Sequence, residues 1–208
     1  MIPITPQPEP IGFNASVRLP GSKFLAKTPH PSAKEFQTNN YWKNSINDLY
    51  LSYKKICAYS SAPIWHTGSA TVDHYLAKSV RPDLAYEWNN FRLARFKLNY
   101  NKDINEKVID PFTIEDGWFQ IDFPSCLIKP GTGLSDAVHK SVVDSIRILK
   151  LNDDDELVQE RATRMTEFAE GEILLSWLEK YYPLLAKEIV RQGIQNNANS
   201  IFKTRSIT

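Results

Sequence analysis

Prolines set the first constraint on this chain. They stand at 3, 6, 8, 10, 20, 29 and 31. A ring that fixes φ and lacks an N–H opposes a long helix and favours extended backbone. Residues 1–33 therefore read as an irregular, extended N-terminal arm, which must pack on the body or bind something to be ordered. Helical spacing begins beyond it. Trp42, Ile46, Leu49, Tyr50, Tyr53 and Ile56 fall on one face over 40–56, with Asn39 or Asn40 as N-cap. The apolar, aromatic runs ICAYS (56–60), APIWH (62–66) and ATVDHYL (70–76) predict two or three short strands, the last ending near Asp73–His74. Residues 79–90 form a polar loop. FRLARF (91–96) fits a strand or a helix start, LNYNKDINEK (98–107) an exposed helix or its cap, and GWFQIDF (117–123) a strand.

The second half is helical. Leu134, Val138, Val142, Ile146 and Leu149 mark one helix over 134–149. Leu157, Ala162, Met165, Phe168, Ile173, Leu174 and Leu178 mark another over 154–181. Pro183 kinks or restarts it, and a last helix runs to about Arg191. The polar tail after Gly193 reads as frayed. The expected class is α+β, in four blocks: the arm 1–33, a core with its leading helix at 34–130, C-terminal helices at 131–193, and the tail 194–208.

Composition narrows the function classes. With 208 residues and 42% hydrophobic content, the chain can bury a core of its own. It holds no uninterrupted apolar stretch of the roughly 18 residues that mark a membrane-spanning helix. MIPITPQPEP lacks the basic n-region of a signal peptide, so the cytoplasm is the expected compartment. Two cysteines, Cys57 and Cys126, make neither a disulfide framework nor a four-cysteine zinc site; they read as buried small hydrophobes. The net charge of +1 hides an asymmetry. Lys78, Arg81, Arg92, Arg95, Lys97 and Lys102 crowd the middle against Asp83 and Glu87, whereas Asp153, Asp154, Asp155 and Glu156 form an acidic run that best serves a helix N-terminus.

Four features of the basic middle combine. Asp73-His74 closes an apolar strand, Asn90 lies in a tryptophan-led turn, Asn99 follows, and Lys102 comes three residues later. On TVDHYLAKS (71–79), YEWNNFRLA (86–94) and LNYNK (98–102) the chain resembles the HNH endonucleases, whose site is a hairpin followed by a helix around one divalent metal, the ββα-metal fold. Outside these stretches it is similar, more weakly, to the nuclease subunits that stand beside ATPases in Septu-type and retron-associated bacterial antiphage systems. The resemblance implies metal-dependent hydrolysis of phosphodiester bonds in DNA or RNA, transfer RNA included, with an ATPase partner to restrain or trigger it.

The residue types suit that chemistry. A histidine ordinarily titrates near neutrality, so His74 is expected to take a proton from water. The Asp73 carboxylate and the Asn99 amide oxygen are hard ligands suited to Mg²⁺ or Mn²⁺. Asn90 is expected to orient His74 by a hydrogen bond, and Lys102, Arg95 and Lys97 to face the phosphates. Neighbours on a regular strand point to opposite faces, so Asp73 and His74 share a site only where the strand ends or bulges.

The chain departs from the family in its first CxxC position, which is Cys57-Ala-Tyr-Ser60, and in Leu98, where a cysteine often stands. No structural zinc is expected, and Tyr59, Trp65, Trp88 and Phe96 are left to hold the hairpin by packing. His66 reads as a structural residue with metal or phosphate contact as its alternative. His139 belongs to a helix surface and His30 to the arm. The apolar stripe on the last helices is core or a subunit interface, homo- or hetero-oligomeric. The alternative function is a catalytically degenerate fold kept to bind nucleic acid or protein, and a third is a purely structural subunit of an ATPase complex.

Overall fold

The computed structural model describes residues 1–201. Over these residues the molecule is α+β, with two separate two-stranded antiparallel sheets among helices.

The first sheet pairs β1 (Ala70–His74) with β2 (Phe91–Arg95). The ladder is regular from Ala70 opposite Arg95 to His74 opposite Phe91, and β1 stops at His74 without a bulge. Helix α4 (Phe96–Lys102) starts directly after β2. FRLARF is thus a strand with a helix start at its last residue. Strand β2 is buried on both faces: Phe91, Arg92, Leu93 and Ala94 are all buried. The loop 57–62 docks on β2: the Ala58 N–H donates to the Leu93 carbonyl at 2.8 Å, and the Arg95 N–H donates to Cys57 Sγ at 3.4 Å. In place of the strands expected between 56 and 66 there is an isolated bridge between Ile56 and Pro63.

Ahead of the sheet come α1 (Leu19–Lys27), α2 (Ala33–Thr38) and α3 (Ile46–Ser52). The expected helix over 40–56 is shorter and starts as a 3-10 turn at Tyr41–Ser45; Asn40 precedes it without a side-chain cap. The arm also differs from expectation. A π-helical turn at Asn14–Arg18 runs into α1, so residues 14–27 are helical. Only Pro20 falls within them, in the first turn of α1, where a missing N–H costs little. Burial of Phe13 against Trp88 and Phe91, with ring centroids 5.5 and 5.8 Å apart, supplies what propensity does not. Gly21 permits the close approach of α1: a Cβ there would overlap the Tyr86 ring. Residues 2–10 form neither helix nor strand and are pinned to the body. Trp88 Nε1 donates to the Gln7 carbonyl at 2.8 Å, and the Gln7 N–H donates to Tyr53 Oη at 3.2 Å.

The second sheet pairs β3 (Phe119–Asp122) with β4 (Leu127–Pro130). It packs under α5 (Asp136–Leu149) and α8 (Pro183–Arg191). Helix α5 follows its periodicity: Ser135 caps it by accepting from the Val138 N–H, and Val142 and Leu149 are buried. The helix expected over 154–181 is two helices, α6 (Asp155–Glu170) and α7 (Leu175–Tyr181). An additional break comes at Gly171, a left-handed C-cap at φ 79°, and Pro183 restarts the chain as the first residue of α8, as expected. Asp154 caps α6, as the acidic run implied. Residues beyond Gly193 expected to fray instead pack through Ile194, Ala198 and a final turn, α9 (Ala198–Ile201). The rest of that tail, 202–208, lies outside the described residues. One continuous apolar core runs from Met1 to Ile194 and takes in all three blocks between. Among the described residues, no helix is long and apolar enough to cross a membrane.

Candidate functional site

Asp73, His74 and Asn99 line one cavity of about 1010 Å³, between the end of β1, the 3-10 turn before α3, and α4. Asp73 and His74 face different partners along the way. His74 is buried, with its ring edge-on to Trp42 and Phe91 at 5.0 and 5.2 Å. Its Nε2 lies 2.9 Å from the Ala85 carbonyl. A carbonyl only accepts, so Nε2 carries the hydrogen and Nδ1 keeps the lone pair. Burial, and then the charge of Lys78, push the ring's pKa down to about 3, against the pull of the Ala85 bond. The imidazole is therefore neutral at neutral pH.

Asp73 is equally buried. Its Oδ1 accepts from Lys102 Nζ at 3.1 Å and its Oδ2 from the Tyr59 hydroxyl. Burial raises the carboxyl's pKa; Lys102 and Tyr59 oppose the rise. Burial and the Asp73 charge hold the Tyr59 hydroxyl well above its ordinary range, so it stays a donor. Asn99 Nδ2 donates to Thr71 Oγ1 at 3.1 Å and to the Val72 carbonyl at 3.3 Å. The carbonyl fixes which amide atom faces the strand, and it leaves Oδ1 without a donor among the described residues.

Among the described residues, no three of His, Cys, Asp and Glu gather as a metal site. The donor set that does exist fits a hydrated Mg²⁺ or Mn²⁺. Each Asp73 oxygen has one donor and a remaining lone pair, and Asn99, which lines the same cavity, adds a neutral hard oxygen. Few protein ligands and several waters is the habit of such ions.

Other expected residues take different places. Asn90 does not touch His74. Its Oδ1 accepts from the Leu76 N–H at 2.9 Å, and its Nδ2 donates to the Leu76 and Leu84 carbonyls at 2.9 and 3.2 Å. It closes the 76–84 loop, whose next residue is the Ala85 that holds His74, so the orientation is indirect. Lys102 does not face the cavity as a phosphate contact. It is 1% exposed, and its three donors go to Asp73 Oδ1 and to the His74 and Tyr75 carbonyls. Arg95 forks onto Glu160 at 2.7 and 2.8 Å and also reaches the Pro63 carbonyl. Lys97 is exposed and pairs with Asp154 at 2.9 Å. Neither lines the cavity, because each already has a carboxylate from α6 or its cap.

The lysines that do line it are Lys43, Lys78 and Lys150. Among the described residues none of the three has a carboxylate partner. Lys78 sits over the Trp42 and Phe36 rings at 5.2 and 6.0 Å. Sequence reasoning placed Lys78 in the basic middle without a role, and it gave Tyr59 packing alone, missing its hydrogen bond to Asp73. A tyrosine in the apolar run ICAYS was the available signal, since a buried hydroxyl needs a partner. Of the aromatics expected to hold the hairpin, Tyr59 and Trp88 are buried, whereas Trp65 and Phe96 are exposed. Phe96 opens α4 exposed, at the rim of the cavity. His30, His66 and His139 are exposed and lie away from the cavity, and both cysteines are buried.

No protein-family model matches the chain, and no curated protein matches it.

Proposed function

We propose that the chain is a metal-dependent endonuclease of the HNH type, with β1, β2 and α4 as its ββα core. The observation that carries the reading is one cavity shared by a neutral histidine with a lone pair on Nδ1, a buried carboxylate and an amide oxygen, in the spacing that resembles that family. Asp73 and Asn99 would hold Mg²⁺ or Mn²⁺, which when bound supplies charge to the phosphoryl oxygens and the departing alkoxide. His74 Nδ1 accepts the proton of the attacking water. The Ala85 carbonyl holds the tautomer; burial first, and then the Lys78 charge, make the ring a poor base in the resting protein, and a phosphate nearby offsets the second of these. Tyr59 and Lys102 position Asp73 from behind. Lys78, Lys43 and Lys150 attract the phosphate backbone. An ATPase partner and an antiphage setting belong to the same proposal and are supported by the sequence resemblance alone.

One observation favours the second reading, a binding module without chemistry: Lys102 already neutralises Asp73. The two separate on incubation of the protein, alone and with an ATPase partner, with labelled DNA and RNA. A nuclease cleaves with Mg²⁺ or Mn²⁺, stops with EDTA, and loses at least about 100-fold on His74→Ala, the low end of a general base's contribution. Full activity of that variant removes His74 from the chemistry. Binding that no divalent ion converts to cleavage supports the binding module.

A further inference from the structure

The rim of the cavity carries two aromatic rings that the fold does not use. Phe96 and Tyr100 are 67% and 75% exposed, although large apolar side chains on a short helix normally turn inward. They stand four residues apart on α4, with ring planes 21° from parallel and centroids 6.4 Å apart. Both line the same cavity as Asp73, His74 and Asn99, and Asn99 lies between them on the helix. Ile104, 58% exposed, extends the apolar rim.

Two kinds of surface thus meet. The cavity wall holds Lys43, Lys78 and Lys150 against Asp73 and Asp103, and its lysines have no carboxylate partners among the described residues. The rim holds bare ring faces. Phosphates complement the first and flat π-systems the second. A chain that alternates phosphate with base offers both, but only where its bases are unpaired and unstacked. In a duplex each base face is already covered by its neighbours, and the rings would meet the sugar-phosphate edge.

We propose that the cavity takes unpaired nucleotides, in a single strand or a loop, whose bases stack on Phe96 and Tyr100 while the adjoining phosphate enters between Lys78 and His74. This rests on the nuclease reading and names its substrate class. Stacking is tolerant of base identity, so the platform selects for strandedness rather than for sequence.

The test is binding by the wild-type protein in chelator, read by fluorescence anisotropy. The ligands are labelled oligodeoxynucleotides and oligoribonucleotides, each single-stranded, in blunt duplex, and as a strand with a run of abasic sites. Single strands should bind at least about tenfold tighter than duplex or abasic strand. Phe96→Ala/Tyr100→Ala should lose about tenfold or more on the single strand and nothing further on the abasic strand. Phe96→Trp/Tyr100→Trp should retain binding. The DNA and RNA arms show whether the sugar matters. Equal affinity for duplex and single strand, or an unchanged double-alanine variant, overturns the proposal and leaves the rings to a protein partner. Cleavage by wild type with Mg²⁺ separates the two ideas. Cutting that ignores strandedness and both rings sinks the platform alone. No cutting, with single-strand binding that depends on the rings, sinks the chemistry and keeps the platform.

Discussion

Lys102 shows how one buried residue can look catalytic in a sequence and serve another purpose in the fold. Its ammonium has three donors and three acceptors around it: Asp73 Oδ1 and two carbonyls at the end of β1. Lys102→Met removes the charge and strands a carboxylate that is 2% exposed. Breaking a buried pair from one side costs about 3–5 kcal/mol. Urea denaturation should show that loss for Lys102→Met, and Lys102→Met/Asp73→Asn should recover much of it, since the second change removes the stranded charge. A phosphate-contacting lysine would instead leave stability unchanged and lower only affinity. The sequence made Lys102, Arg95 and Lys97 look alike, because spacing reports charge and not whether a partner already holds it. Glu160 and Asp154, the carboxylates that engage Arg95 and Lys97, lie more than fifty residues along the chain. Asp73, His74 and Asn99 were picked out by the resemblance and not by strand spacing, which alone would part Asp73 from His74; the strand ends at His74, and all three line one cavity.

Among elements, the legible ones were those whose periodicity and caps agree. Helix α5 matches its apolar spacing within about two residues, and the structure adds the Ser135 cap. The segment 14–27 was not legible, since its local composition argues against helix and long-range burial decides the outcome. Gly21 is the point at which that burial is tightest. Gly21→Ala would improve helix propensity by about 1 kcal/mol in an isolated peptide. Here its Cβ meets a Tyr86 ring fixed by Tyr41 and Trp42 at 5.9 and 5.8 Å. The clash should outweigh the gain, for a net loss of about 1–3 kcal/mol. Thermal denaturation of Gly21→Ala measures it, and a rise in Tm would show that α1 does not press on Tyr86 as described.

The blocks read from the sequence do not mark separate cores in the whole molecule. Phe119, Ile121 and Ile128 belong to the block ending at 130, yet the second sheet they form lies against α5 and α8. Met165 and Ile189, from the C-terminal block, belong to the same apolar cluster. A fragment of residues 1–130 loses that cover; each large apolar side chain returned to water costs about 1.5–3 kcal/mol. Far- and near-ultraviolet circular dichroism should show the fragment without fixed tertiary structure, and the full chain should unfold in one transition. A fragment that folds cooperatively would restore the block at 34–130 as a domain in its own right.

Glu160 sits where these parts meet. It receives Arg95, the residue immediately before α4, and also the Tyr182 hydroxyl at 2.8 Å from the start of α8. A single carboxylate therefore ties the start of the helix that bears Asn99, Phe96 and Tyr100 to the start of α8. Whatever grips those terminal helices pulls on that helix too, through this carboxylate and through the apolar core they share.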